Sequence, residues 1–383
     1  MIKDKFVTER RVIILGGYGN FGKRIAESLA MLLGVTVIVA GRSIKKAQIL
    51  CQELSSRGAK AHLEPAFIDI DQPGLTEALA SLSPDLVIHT GGPFQGQDYR
   101  VPSACIALGS HYIDLADDRR FVCDIISLNE QACANNVLIV SGASSVPGLS
   151  SVVIDRFISQ FSRLDEIDFA IAPGNQAERG EATVRGILSY TGHTFLVLNN
   201  GKWVNQYGWM SPRKLYFNEV IGKRWLANID IPDLELFPRR YKPVTSVKFQ
   251  AGLELPLLHL GMVFMALLAK IGLVKNWSKF TKLIYTSSEL FKGFGTDTGG
   301  MQVNLSGLDE NNKPKQITWT LCAEKGVGPY IPTLSAIILA KKLLTETIDV
   351  RGATPCLGYY TLEEFDQEAI PLGIYHQTEV SIG

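Results

Sequence analysis

Charge of one sign is what this chain lacks. Its 383 residues hold 38 basic and 38 acidic side chains, for a formal net charge of zero. There is no basic tail and no long charge run, so the electrostatic footprint of a nucleic-acid binder is missing. Cysteine and histidine are sparse, six of each. Cys51, Cys105, Cys123, Cys133, Cys322 and Cys356 are scattered without a C-x-x-C pair, and read as buried thiols of a reducing compartment. The histidines are dispersed, with no metal-ligand spacing, so no metal is expected. The start, Met1-Ile2-Lys3-Asp4-Lys5, has no apolar core and reads as no signal peptide. A cytoplasmic protein is the expectation. Neither a P-loop nor a Ser-His-Asp arrangement appears. Apolar content of 46% with 20% charged residues fits a globular chain long enough for two domains.

What is present is glycine in the right place. Val12-Ile13-Ile14-Leu15 is an apolar strand, and Gly16-Gly17-Tyr18-Gly19-Asn20-Phe21-Gly22 follows it as a turn. A helix is predicted from about Lys23 to Leu33, stopped by Gly34, and then a strand over Val35–Val39. G-x-G-x-x-G between a strand and a helix is a dinucleotide-binding fingerprint. Gly17 permits the tight turn, Gly19 lets backbone approach a pyrophosphate, and Gly22 lets helix pack on strand. The helix amino end offers its N–H groups and positive dipole to the phosphates. Tyr18, Asn20 and Phe21 line the same turn.

The second strand decides which dinucleotide. An acid at its end would hold the ribose 2′-hydroxyl of NAD. Here the end reads Ala40-Gly41-Arg42-Ser43, without an acid. Gly41 leaves room for a 2′-phosphate, Arg42 can grip it with a planar fork, and Ser43 can donate a hydrogen bond. NADP (as NADPH) is therefore expected over NAD.

Strands and helices alternate to about residue 145. Helices are predicted over Ile44–Arg57, from Asp71 as cap to Leu82, over Arg100–Leu108 and over Val122–Ala134. Strands are predicted over His62–Ile68, Asp85–His89, Tyr112–Leu115 and Val137–Val140. Six strands alternating with helices make a doubly wound parallel sheet, with its ligand crevice at the carboxyl ends of the strands. Beyond that, Asp165–Ala172, Val244–Gln250, Met301–Leu305 and Gln316–Cys322 alternate apolar and polar residues, as half-buried antiparallel strands do. The polar turn Asp309–Pro314 makes the last two a hairpin. The fold expected is α/β: an N-terminal Rossmann domain (residues 1–145) and a second α+β domain with a mostly antiparallel sheet (146–325). Residues 326–383 are expected to pack back on the first domain, through a helix from Thr333 to about Leu344.

Leu255–Val274 is almost wholly apolar, broken by His259 and Lys270, and Lys275, Trp277, Lys279 and Lys282 follow. Its length is near the ~20 residues that cross a bilayer. Four readings fit: a spanning helix, an interfacial helix in peripheral contact with a membrane, a buried or homodimer-interface helix, and the wall of an apolar substrate pocket.

Three further stretches extend the pattern: His89-Thr90-Gly91-Gly92-Pro93-Phe94, Gly109 to Asp117 with His111-Tyr112-Ile113-Asp114, and Ser141-Gly142-Ala143-Ser144-Ser145-Val146-Pro147-Gly148-Leu149. With the glycine turn and Gly41-Arg42-Ser43, this order resembles the saccharopine dehydrogenase-like oxidoreductase family over the first ~150 residues. The resemblance implies hydride transfer at a carbon–nitrogen bond with NADP or NAD; the activity expected here is hydride transfer at such a bond, or at a carbon–oxygen bond, of a small molecule. It places cofactor roles on Gly17, Gly19, Gly22 and Arg42, and sets Gly91, Gly92, Pro93 and Phe94 beside the nicotinamide ribose. Saccharopine-forming members carry acids around the Pro-Gly turn after strand six. Here Val146 and Leu149-Ser150-Ser151 stand there, so lysine metabolism is not implied and the family's bacterial branch is the nearer comparison.

A proton must accompany the hydride, so an acid/base group must lie within reach. His111, Tyr112, Asp114 and Asp117 are the catalytic candidates, against a structural role in which Asp114 or Asp117 caps the next helix. Arg179, Arg185, Tyr190 and His193 on or near a helix over Glu181–Tyr190, and Tyr330 after the Lys325–Gly328 turn, are secondary candidates for substrate contact. A nucleotide sensor without turnover and a membrane-surface enzyme acting on a lipid-like substrate are the competing readings.

Overall fold

The computed structural model describes residues 9–383; the stretch Met1–Lys5 lies outside them. It forms two compact units, Met1–Gly148 with Pro332–Tyr360, and Leu149–Ile331 with Thr361–Gly383.

The first unit is built on β1 (Arg10–Leu15), β2 (Val35–Gly41), β3 (His62–Phe67), β4 (Leu86–His89), β5 (His111–Asp114) and β6 (Leu138–Ser141). All seven residues of β2 are buried. A strand buried on both faces must be apolar throughout, as parallel strands under crossover helices are. The order is β3-β2-β1-β4-β5-β6, and every pairing is parallel. A seventh strand, Gly352–Pro355, adds to β6 in parallel. It carries no alternation and only four residues, so nothing in the pattern of the chain marks it. Ile13, Leu15, Ile38, Val87, Tyr112 and Ile139 share one core cluster. Each such side chain contributes roughly 1.5–3 kcal/mol by leaving water.

The helices are α1 (Gly22–Leu29), α2 (Ile44–Ser56), α3 (Leu75–Ala80), α4 (Arg100–Leu108), α5 (Arg119–Cys123) and α6 (Asn129–Ala134). Three differ from expectation. Helix α1 stops at Leu29, short of Leu33. Helix α3 is preceded by Gly74 in left-handed conformation, with no side-chain cap, so Asp71 is not its cap. The run expected as one helix over Val122–Ala134 is α5, a 3-10 turn and α6.

In the second unit a seven-stranded sheet runs in the order Arg213–Tyr216, Lys223–Asn228, Ser246–Ala251, Arg163–Ala172, Gly299–Leu308, Pro314–Ala323 and then Ile374–Ile382. Its members are β7 (Arg163–Ala172), β10 (Arg213–Tyr216), β11 (Lys223–Asn228), β12 (Ser246–Ala251), β13 (Gly299–Leu308) and β14 (Pro314–Ala323), while β8 (Thr194–Asn199) and β9 (Lys202–Tyr207) form a separate hairpin. The β13–β14 hairpin turns where the polar run was read. One expectation is corrected: β12 pairs β7 in parallel, not antiparallel, across Ser246–Ala251. Alternation reports one covered face and says nothing of strand direction. A second correction concerns the tail. Ile374–Ile382 pairs antiparallel with β14, so Thr361–Gly383 belongs to the second unit and not to the first.

This unit also holds α7 (Ser150–Phe157), α8 (Glu181–Tyr190), α9 (Asp233–Arg240), α10 (Pro256–Lys270), α11 (Thr281–Glu289) and a further helix over Leu362–Ala369. The apolar run Leu255–Val274 is thus a helix of 15 residues followed by a turn. Among the described residues no helix is long and apolar enough to cross a membrane.

Candidate nucleotide-binding and catalytic site

The strand order reverses between β1 and β4, and the loops leaving their carboxyl ends meet there. After β1 the chain turns at Gly16, whose φ of +76° is left-handed. The Gly16 and Gly17 amides both donate to the Ala40 carbonyl, at 2.9 and 3.1 Å, and Gly19 N–H returns to Gly16 O at 2.8 Å. The positive-φ residue is therefore Gly16, one position before the motif that was read. A Cβ on Gly22 would lie 2.3 Å from Gly16 O and 2.7 Å from Gly17 Cα. No side chain fits there, so α1 meets the turn backbone to backbone. Arg24, buried in α1, donates to the Asn20 carbonyl and to its side-chain oxygen, the latter at 2.6 Å. That contact braces the loop and was not anticipated.

The end of β2 is tied to this loop through Tyr18. Its hydroxyl accepts the Ser43 N–H at 2.8 Å. Its ring occupies the space a side chain at 41 would need, since a Cβ on Gly41 would lie 2.7–2.9 Å from Tyr18 atoms. Ser43 caps α2 by accepting from Lys46 N–H, which leaves its hydroxyl hydrogen free to donate. Arg42 is exposed and makes no ion pair among the described residues. The nearest charged neighbours in sequence, Lys45 and Lys46, are exposed too. A phosphate would find uncompensated cations and no carboxylate on Ala40 to Ser43, while the glycine cradle leaves backbone bare for a pyrophosphate. The residues present fit NADP.

The loop after β4 lies against the glycine turn. Thr90 Oγ1 donates to Leu15 O at 2.9 Å, and a Cβ on Gly16 would stand 3.2 Å from Gly91 N. Gln97 braces the loop from beneath, donating to Gly91 O at 3.0 Å and Pro93 O at 2.8 Å. Gly91, Gly92 and Pro93 are half-buried. Phe94 is different. Its ring is 5% exposed and packs edge-on to His89 (centroids 5.0 Å) and against Phe121 (5.2 Å). It holds the loop from the core side and is not placed to touch a nucleotide.

The four catalytic candidates separate. His111 opens β5 at its amino end, and its Nδ1 accepts the Leu138 N–H at 2.9 Å. It sits about 10 Å of strand away from the carboxyl-end crevice, so the expectation for it is corrected. Tyr112 is fully buried, its hydroxyl 3.2 Å from His89 Nδ1. Asp114 is fully buried as well. One of its oxygens accepts from Ser141 Oγ (2.9 Å), Gly142 N–H (2.8 Å) and Ala116 N–H (2.9 Å). Burial pushes its carboxyl up to about 6, against the pull of these bonds. Three donors on one oxygen make Asp114 the knot that joins the ends of β5 and β6. The cap of α5 is neither Asp114 nor Asp117 but Asp118, which accepts Phe121 N–H at 2.8 Å.

Asp117 remains. It is half-buried, and Gln95, next to Phe94, donates to it at 3.1 Å. Burial raises its pKa, the Gln95 bond opposes this, and the adjacent Asp118 charge adds to the rise. Of the two carboxyls among the four candidates, it is the one that is bonded to a residue beside the Gly91–Phe94 loop while keeping access to solvent. Behind the loop lies a residue that sequence reasoning quoted but did not single out. His89 is fully buried, and burial lowers it to about 4, so it is neutral at pH 7. A Cβ on Gly91 would come within 3.1 Å of its Nε2. A lone histidine at a strand end gives no sequence signal of such burial.

In the second unit, Arg179 faces Glu289 at 3.6 Å and Arg185 pairs with Glu181 at 3.1 Å one turn away. Both guanidinium groups already have carboxylate partners. His193 is exposed, and Tyr330 closes a short 3-10 turn.

Comparison with known proteins agrees with this geometry. Residues 12–140 match the saccharopine dehydrogenase NADP binding domain. A trans-acting enoyl reductase of Mycobacterium leprae is 30% identical over 141 residues, 36% of this chain and 33% of that protein. A Mycobacterium tuberculosis protein with a provisional name of the same kind is 31% identical over 146 residues, 37% of this chain and 34% of its own. The chain thus spans about a third of the length of these curated relatives. Among solved structures, apo saccharopine dehydrogenase (L-Glu forming) from Saccharomyces cerevisiae superposes with a TM-score of 0.69 over 97% of this chain and 100% of that one, at 14% identity. That likeness is one of fold.

Proposed function

We propose, from the match of residues 12–140 to the saccharopine dehydrogenase NADP binding domain, that the chain is an NADPH-dependent oxidoreductase that reduces a C=N or C=O bond of a small molecule. One observation carries the reading: the glycine turn after β1 and the Gly91–Pro93 loop after β4 touch at the switch point, with unpaired Arg42 at the end of β2. NADPH, when bound, supplies the hydride. The protein's part is to orient it and to supply one proton to the heteroatom. Asp117 is the proton donor in this reading, since burial raises its pKa above the ordinary carboxylate value and so favours the protonated form more than at an exposed carboxyl. Gln95 fixes its direction, and Asp114 positions the strand ends without touching substrate.

A second reading follows from the enoyl reductases that match: the reduced bond is a C=C conjugated to a carbonyl, and the proton goes to carbon. The two separate by substrate. The absorbance of NADPH is followed at neutral pH with cyclic imines, aldehydes and keto acids, and with enoyl thioesters. Consumption with the first group alone upholds the proposal; consumption with enoyl thioesters alone replaces it. Tight NADPH binding without consumption across both groups favours a nucleotide sensor.

A further inference from the structure

Helix α10 is held to the second unit by a narrow line and shows its wider apolar face to water. The buried line is His259, Met262 and Ala266. His259 lies against the aromatic rings of Trp209 (centroids 5.4 Å) and Trp225 (6.3 Å). On the other side Leu257, Leu260, Phe264, Leu267 and Ile271 are 42–68% exposed. They recur at alternating steps of three and four, which is one stripe along a helix. Phe280 before α11, Leu283 on it, and Leu290 and Phe294 beyond it are further exposed apolar side chains, 46–79% exposed. Trp277 joins the two, donating from Nε1 to Met265 O at 2.8 Å with its ring 5.9 Å from Phe280. A stripe of this size on a water-facing helix implies a partner.

Charge identifies the partner. From Leu255 to Ser288 there is no Asp or Glu, while Lys270, Lys275, Lys279 and Lys282 are all present and exposed. Lys270 Nζ rests over the Tyr207 ring at 4.3 Å. Lys275, Lys279 and Lys282 have no ion-pair partner among the described residues. A second copy across a two-fold axis would bring two sets of these lysines into one interface with no acid in the segment to offset them, since an isologous contact pairs a patch with itself. An anionic headgroup layer would neutralise them. The α10 helix, 15 residues long, measures about 22 Å at the usual rise and falls short of a ~30 Å hydrocarbon core. It must therefore lie in the interface plane.

We propose that the α10–α11 segment docks on the surface of an anionic membrane, with its leucine and phenylalanine stripe at the headgroup–acyl boundary and the lysines over the headgroups. The test is flotation of the full chain with vesicles of phosphatidylcholine alone and of phosphatidylcholine with phosphatidylglycerol. Binding is expected to the second and not the first, falling with added salt. Lys275→Gln, Lys279→Gln and Lys282→Gln should each weaken it about fivefold. Phe264→Glu should weaken it more than tenfold. Phe264 is 60% exposed, so the thermal unfolding midpoint of that variant should match the parent and exclude misfolding. No flotation with either vesicle overturns the proposal, as does equal flotation with both. A dimer that Phe264→Glu dissociates, in a chain that does not float, assigns the stripe to a second copy instead.

Discussion

The Tyr18 hydroxyl accepts the Ser43 amide at 2.8 Å, and its ring fills the space over Gly41. One side chain of the glycine turn thereby fixes where the end of β2, and with it Arg42, is presented. Gly41→Ala should press Cβ into that ring and weaken NADPH binding. Tyr18→Ala alone should also weaken it, but in the Tyr18→Ala background the Gly41→Ala penalty should largely vanish. A double-mutant cycle on NADPH affinity reads this coupling; strict additivity would remove Tyr18 from the role.

Arg42 bears on coenzyme choice. Arg42→Asp should cost NADPH about 1.5–3 kcal/mol, the size of a hydrogen bond to a charged group, and should leave NADH bound as well or better. Titration with both coenzymes measures it. Equal affinity of the parent protein for the two would defeat the assignment of Arg42 to a 2′-phosphate.

Gly22→Ala tests the backbone contact of α1 with the turn. Its Cβ would sit 2.3 Å from Gly16 O, an approach that cannot be relieved by rotating a side chain. The expected loss is about 1–3 kcal/mol of stability, as for other overpacked sites, together with loss of NADPH binding. Urea unfolding at fixed pH reports the first, and an unchanged midpoint would mean the helix can shift freely.

Acid stability should carry two opposed signatures from neighbouring strands. His89 falls from 6.5 to about 4 on folding. The unfolded chain then binds the extra proton between those values, so His89 makes the fold less stable as pH falls through that window. Full burial makes this worth about 3 kcal/mol at most. Asp114 rises from 3.8 to about 6, so here the folded state binds the extra proton and the fold gains stability over the same descent. Asp114→Asn keeps the oxygen that accepts three bonds and removes only the titration. Its unfolding free energy should fall more steeply than the parent's between pH 6 and pH 4. A parallel pH profile would show that Asp114 does not titrate where its burial places it.

Asp117→Asn should lower kcat about 10²–10⁴-fold, the range for loss of a general acid, with NADPH affinity unchanged. The high-pH limb of the kcat profile should disappear with it. Retention of that limb would move the proton donor elsewhere.

The nucleotide end of the site was legible because its constraints are local. Gly17, Gly19 and Gly22 are fixed by backbone clearances within one turn, and the missing acid after Val39 is visible as four letters. Asp114 and Asp117 could not be separated by role in the same way. A carboxylate at a strand end has one appearance in sequence, whether it faces a crevice or accepts three bonds from the neighbouring strand. The direction of β12 and the return of Ile374–Ile382 to β14 depend on partners far along the chain.

The sequence by itself determined the parallel first sheet, the phosphate-binding turn and the lack of an acid opposite Arg42, since each follows from periodicity or from a residue's own stereochemistry. Only the tertiary structure decided which polar groups are buried, that Phe94 faces inward, and that the stripe on α10 faces water. Burial is a sum over neighbours brought together from distant positions, and no stretch of chain carries that sum within itself.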